Sequence, residues 1–240
     1  MERHIDTTAA GNDRRRRVGD IRRRLAAGGP PWEREPGDFD RISLPEADAD
    51  ALRDLLLAEG VETVVEIGLA YGSSALAIGQ ALVAGGAPNP VHVVIDPLQA
   101  DEWRNVGRDL LREAGLEPMA RMIEEPSSLA LAGLVREGLT ADAAFVDGSH
   151  RFHEVFLDLA YLRRIVRPGG LVVLDDHWWP SVRTAERYFT ANLGWRVLED
   201  ALPGSASARN GHPRMRALRL PDPRLEPPFE AFRPFGADEP

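Results

Sequence analysis

Phe145-Val146-Asp147-Gly148-Ser149-His150 and, one amphipathic segment later, Arg167-Pro168-Gly169-Gly170-Leu171-Val172-Val173-Leu174-Asp175-Asp176-His177 form the stretch that decides how this chain reads. Each half is an apolar run of strand character that delivers acidic residues at its C-terminal end, and a histidine follows the first acid three residues on. Carboxylates gathered at the carboxyl ends of neighbouring parallel strands are where an open α/β sheet builds its active site. Asp147, Asp175, Asp176 and His150 are therefore the candidate chemistry.

The same alternation extends in both directions. Strand-like runs at 61–67, 91–95, 119–123, 143–146, 171–174, 195–198 and 214–220 alternate with helical patterns at 73–83, 101–114, 127–136, 152–165 and 182–192. Strands separated by helices of this length imply βαβ units and a mostly parallel sheet. The expected fold is α/β: a Rossmann-like, seven-stranded, mostly parallel sheet with helices on both faces, in a single domain over 43–220. Ahead of it, residues 1–12 carry no apolar period, and 14–27 reads as a helix with Val18, Ile21 and Leu25 on one face. Gly28-Gly29-Pro30-Pro31 ends that helix. Ser43 followed by Glu46 reads as a capping box for a helix that stops at Gly60. The Pro-rich tail, 221–240, reads as an extended cap.

Composition removes several chemistries. There is no cysteine, which excludes disulfides, thiolate metal sites and cysteine nucleophiles, and every one of the 29 basic residues is arginine, which excludes a Schiff-base or phosphate-loop lysine. A net charge of −9 argues against general nucleic-acid binding. The arginine cluster at 14–17 and 22–24 reads as a solvated helix face. Trp32 and this helix are left to pack either on a second copy of the chain or on the domain itself. No apolar run approaches a membrane span and the N-terminal residues are polar, so the cytoplasm is the expected compartment.

A glycine turn gives the acids a context. Val64-Val65-Glu66-Ile67-Gly68-Leu69-Ala70-Tyr71-Gly72-Ser73-Ser74 leaves a strand and opens a helix. Gly68 and Gly72 permit a tight turn and close approach of backbone to a ligand, and the helix N-terminus offers amide donors. The Gly-x-x-x-Gly spacing disfavours a pyrophosphate. Asp96, ending the second strand, sits where an acid takes ribose hydroxyls.

On these residues the chain resembles the class I S-adenosylmethionine-dependent methyltransferases over residues of about 60 to 200. The resemblance implies that Glu66, Gly68 and Gly72 form the first cofactor motif, that Ser73 or Ser74 lies near the methionine carboxylate, and that Asp96 is the second-strand acid. It also puts Ser127 and Ser128 beside the adenine and Asp147 at the cofactor's edge; Trp103, shortly after Asp96, is either a core residue or a shelter for the adenine. The DGSH run and the Asp175-Asp176 pair are similar to the metal-dependent O-methyltransferases, particularly the bacterial branch acting on sugar hydroxyls of macrolide-type natural products. That likeness implies Asp147, Asp175 and Asp176 as ligands of magnesium or another divalent cation. His150 is the candidate base, its ordinary pKa being near neutrality. Neighbours on a strand point oppositely, so Asp175 and Asp176 are not equivalent, and Asp176 is slightly favoured as the ligand. His177, Trp178 and Tyr71 are expected to face the acceptor, a small hydroxylated molecule; His92, His153 and His212 are left as structural.

Other readings stay open at this point. Asp147 could cap the helix that begins near Arg151, and Asp175-Asp176 could be a solvent-facing strand end. A metal-independent O- or N-methyltransferase with a histidine base, or a NAD-binding oxidoreductase, would use the same sheet.

Overall fold

The computed structural model describes residues 9–205, 207–209 and 211–236. Residues 1–8 of the N-terminal arm and 237–240 of the tail lie outside them. The elements are α1 (Ala9–Gly28), α2 (Asp38–Ile42), α3 (Glu46–Glu59), β1 (Thr63–Ile67), α4 (Ser73–Gly85), β2 (Val91–Ile95), α5 (Val106–Glu113), β3 (Ala120–Ile123), α6 (Ser127–Glu137), β4 (Ala141–Val146), α7 (Phe152–Ile165), β5 (Val166–Leu174), α8 (Pro180–Leu193), β6 (Arg196–Val197), β7 (Ala208–Arg209), β8 (His212–Pro213) and β9 (Arg216–Arg219).

Seven strands form one sheet in the order β3-β2-β1-β4-β5-β9-β6, parallel except that β9 runs antiparallel to both its neighbours. The order reverses between β1 and β4, and open sheets of this kind bind ligands at the crevice such a reversal leaves. Strands buried on both faces explain the β-branched runs: Val65, Val93 and Val172 face one helix layer, while Val64, Val94 and Val173 face the other. The core divides accordingly, with α1, α3, α4 and α5 on one side and α6, α7 and α8 on the other.

Three local expectations change. Helix α1 already includes Ala9 to Asn12. Its Val18, Ile21 and Leu25 are buried and Arg16, Arg17, Arg23 and Arg24 are exposed, as a solvated face requires, while Arg15 donates to Val83 O, closing the C-terminal turn of α4, and Arg24 pairs with Glu113. Arg104 stacks 4.5 Å over Trp32, so both features pack on their own domain. Second, Ser43 does not cap α3. The residue before a proline is kept out of the helical region, so Leu44 cannot join the helix; Pro45 is the N-cap and Ser43 closes α2. Third, α5 starts at Val106 and not near Asp101, because Arg104 and Asn105 adopt positive φ and break the turn before it.

Between β6 and β9 the chain makes an excursion that carries the β7–β8 ribbon. Ser205 and Ser207 hydrogen-bond the buried Asp48 of α3 and anchor this excursion to the N-terminal layer. None of the helices among the described residues is long and apolar enough to cross a membrane.

Candidate active site

The glycine turn is held by contacts that leave no room for a side chain. Gly68 has φ +92°, and a Cβ there would lie 2.2 Å from Asp147 O. Gly68 N donates to Ile95 O and Asp147 N donates to Ile67 O, so the ends of β1, β2 and β4 are fixed together. Gly72, at φ +86°, is the N-cap of α4. Asp96 is buried and accepts hydrogen bonds from Leu69 N, Ala70 N, Leu98 N and Gln99 Nε2 at 2.8–3.0 Å. It organises the turn with all four, three of them on Oδ2 and one on Oδ1. Glu66 points into the core as well: it accepts from Ser74 Oγ at 2.6 Å and lies 2.8 Å from His92 Nε2. Glu66 and Ser74 therefore shape the turn from beneath.

A cavity of about 660 Å³ runs over this turn. One end is apolar, with Ile95, Pro97, Leu98 and Pro126; the other is polar, with Ser149, His150 and Ser181. Gly68, Ser127 and Trp179 also line it. Ser181 Oγ donates to His150 O and fastens the loop after β4 to the start of α8.

At the polar end three side chains converge. Ligand atoms of Asp147, His150 and Asp176 lie within 4.8 Å of one another, and His150 Nε2 is 2.9 Å from Asp176 Oδ2. Asp176 holds a positive φ of 49°, a strained conformation for a non-glycine residue that turns its carboxylate toward the histidine. Burial first, and then the Asp175 and Asp176 charges, hold the Asp147 carboxyl well above its ordinary range, with Arg214 opposing. Asp147 does not cap α7: Arg151 is the N-cap, without a side-chain bond.

Asp175, expected among the metal ligands, is turned into the protein. Arg214 Nε donates to both of its oxygens at 3.0 Å and Nη2 lies 2.9 Å from Oδ2, with both side chains almost fully buried. The same guanidinium donates to Ile42 O and Ser43 O and lies over the Trp178 ring. Burial raises the Asp175 carboxyl to about 6 against the pull of Arg214. The two neighbouring acids thus divide their tasks, Asp176 facing the site and Asp175 the arginine.

Several other expected residues are not brought to the cavity. Tyr71 is buried and donates to Asp38 at 2.9 Å, packed edge-on to Phe39 and Trp103; its position in the turn directs it toward α2. Trp103 accordingly belongs to this cluster, with Arg34 over its ring. His177 is buried 2.5 Å from Glu186. Trp178 lies under Arg214, and its neighbour Trp179 instead lines the cavity, stacked on His150 at 6.4 Å. Ser73 lines a separate cleft of about 250 Å³ between α1, α2 and α3. Ser128 is half-buried one residue past the cavity wall. His153 is exposed on α7, His92 is buried beside Glu66, and His212 packs against His177. Arg214 is the residue that sequence reasoning missed, since no local pattern marks it; the Trp178-Trp179 pair is marked by its place beyond the acids, and it is the second of the two that faces the cavity.

Residues 65–177 match the family described as a methyltransferase domain. No curated protein matches the chain in sequence. Among solved structures, an O-methyltransferase from Bacillus cereus in complex with S-adenosylhomocysteine superposes with a TM-score of 0.62 at 13% identity, covering 90% of this chain and 93% of that one. The O-methyltransferase TomG from Streptomyces achromogenes, involved in tomaymycin synthesis and bound to S-adenosylmethionine, gives 0.61 at 16% identity, covering 90% and 91%. These likenesses are of fold.

Proposed function

We propose that this chain, which carries a methyltransferase domain over residues 65–177, is an S-adenosylmethionine-dependent O-methyltransferase of a small hydroxylated molecule such as a sugar or a polyhydroxylated natural product. The observation that carries the reading is the His150–Asp176 pair, 2.9 Å apart, at the polar end of a cavity that runs over the Gly68 turn. The cavity is large enough for a nucleoside and an amino-acid chain, and the two similar structures hold S-adenosylhomocysteine and S-adenosylmethionine.

In this reading the acceptor oxygen attacks the methyl carbon, the sulfur–methyl bond breaks, and the hydroxyl proton leaves for a base. His150 is that base. With Nε2 donating to Asp176, its Nδ1 is the free acceptor, and the carboxylate stabilises the imidazolium that forms. Trp179 stacks on His150 and gives an acceptor ring a flat surface. The apolar wall of the cavity excludes water from the sulfonium.

The donors at the site also fit a divalent cation. Carboxylate oxygens of Asp147 and Asp176, with His150 beside them, lie within reach of one centre, and the Asp147 carboxyl, raised by burial first and then by the neighbouring acids, is one whose charged form a cation would favour. Asp147 and Asp176 would hold the ion, which when bound lowers the pKa of a coordinated hydroxyl. Asp175 is withdrawn from the set. A second reading dispenses with the ion, and the buried Arg214 guanidinium favours it by supplying a fixed positive charge among the three acids.

Transfer of labelled methyl from S-adenosylmethionine to a panel of hydroxylated acceptors, with and without EDTA, tests both. Turnover that resists chelation removes the ion and keeps the base; failure of the protein to bind S-adenosylhomocysteine removes the whole reading.

A further inference from the structure

The β7–β8 ribbon has no part in the chemistry above. Arg209 and His212 are register partners across it, and residues directly opposite in an antiparallel pair put their side chains on one face. Two contacts fix where that face looks. The His212 ring meets His177 edge-on at 6.4 Å, and the Arg209 guanidinium lies 5.6 Å over the Trp179 ring. The chain leading into and out of the ribbon is anchored: Ser205 and Ser207 hydrogen-bond Asp48, and Arg214 N donates to Ser207 O at 2.9 Å.

Arg209 differs from the other arginines around the site. Arg214 is committed to Asp175, Arg183 donates to His177 O and Trp178 O, and Arg151 pairs with Glu154 in the first turn of α7. Arg209 is exposed, and among the described residues no carboxylate pairs with it. In a chain with 38 acidic residues against 29 basic ones, that is not for want of acids. A guanidinium resting on an aromatic face uses none of its five N–H donors there, and they stay available for a bidentate anion.

Trp179 also joins this cation to the proposed base. It is 42% exposed, where the cavity wall meets solvent, and its ring stacks with His150. Base and cation are thus neighbours of one ring, 6.4 and 5.6 Å from it, a separation that a single sugar or aryl ring with a charged substituent bridges. Opposite charges at the two ends set the direction of binding. The Asp176 carboxylate beside His150 repels an anion and Arg209 attracts one, so a charged acceptor enters with its hydroxyl toward the base.

We infer that Arg209 is a specificity-determining residue and that the acceptor is a hydroxylated ring bearing an anionic group, a carboxylate or a phosphate, which the Arg209 guanidinium holds while the hydroxyl faces His150. This rests on the O-methyltransferase reading given above and adds to it the charge of the substrate.

The test is methyl transfer from labelled S-adenosylmethionine to matched acceptors: glucose phosphate and glucuronate against neutral methyl glucoside, and dihydroxybenzoate against catechol. Wild-type protein should prefer a charged member over its neutral counterpart by about tenfold in kcat/KM, the worth of a charge-assisted hydrogen bond at an exposed site, and the better of phosphate and carboxylate identifies the anion. Arg209→Met should raise KM for the anionic acceptors about tenfold more than for the neutral ones with little change in kcat, because the contact is as strong in the ground state as in the transition state. Arg209→Lys should restore part of that loss, keeping the charge without the fork. An arginine that only braces the ribbon gives equal losses with charged and neutral acceptors. That result, or a wild type without preference for the charged members, overturns the inference, as does a protein that binds S-adenosylhomocysteine by calorimetry and methylates none of the anions. A wild type that binds no S-adenosylhomocysteine marks failure of the methyltransferase reading instead.

Discussion

Arg214→Met tests the division of labour between the two neighbouring acids. Arg214 is paired to Asp175 by contacts of 2.9–3.0 Å, with side chains 6% and 0% exposed. Removing one partner of such a pair leaves a buried charge, at about 3–5 kcal/mol. Methionine fills much of the volume, so the loss is electrostatic, together with the donors to Ile42 O and Ser43 O. For a domain of this size each kcal/mol moves the midpoint by about 2–4 °C, which puts the expected fall at roughly 6–20 °C. Asp175 has an escape by taking a proton. Its folded pKa is already raised to about 6 with the arginine present and rises further without it. A raised carboxyl pKa gives stability that is present at low pH and lost as pH rises, so the deficit should be larger at pH 8 than at pH 5.5. Denaturant unfolding at both pH values, with Asp175→Asn and the double variant completing the cycle, measures the coupling. The double variant should recover most of the loss. A single-variant loss below about 1 kcal/mol, or a double variant no better than Arg214→Met, would refute the pairing as the reason Asp175 is withdrawn.

Three further outcomes are expected. His150→Gln should lower kcat by about 10²–10⁴-fold while S-adenosylhomocysteine affinity, measured by calorimetry, stays unchanged. Gly68→Ala forces a side chain into φ +92° against Asp147 O; the conformation alone costs about 1–2 kcal/mol, and displacement of the Asp147 loop should remove both cofactor binding and turnover in a protein whose circular dichroism is native. Asp158→Asn should be more stable than wild type at pH 8 and lose that advantage toward pH 4. The folded carboxyl, raised from 3.8 to about 7, withdraws up to about 4 kcal/mol of stability as pH rises through that window, and thermal unfolding across it reads the difference directly.

The sheet was legible because alternation of β-branched runs with helical periods is a local property, and so was the delivery of Asp147 and Asp176 to one edge, since strand ends follow from strand runs. The inequality of Asp175 and Asp176 was expected from the period of two along a strand, but β5 ends at Leu174 and the two acids part because the backbone reverses at Asp176. What the chain order hides is the partner each side chain finds. Arg214 meets Asp175 because β9 pairs antiparallel with β5, Leu174 opposite Arg216, a register set across more than forty residues. Tyr71 turns away from the expected acceptor side because Asp38 on α2 accepts its hydroxyl, and His177 is claimed by Glu186, nearly two helix turns into α8. Which of Trp178 and Trp179 faces the cavity depends on a backbone reversal at Asp176 that no propensity announces. The capping box at Ser43 failed for a local reason that was available: the Leu44-Pro45 step forbids a helix start there.

The clamps from Arg214 to Ile42 and Ser43, and from Ser205 and Ser207 to Asp48, join positions about 157 to 172 residues apart. The cavity wall itself is drawn from residues 67–181. On a ribosome, which releases the N-terminal part first, α2 and α3 must therefore wait for almost the whole chain before their last partners exist. Contacts of such long range are also the slowest to close. Nascent or truncated chains that end before Ser205 would thus expose the acid edge without its clasp, and competence for methyl transfer would arrive as the final event of folding, after competence to hold a nucleoside.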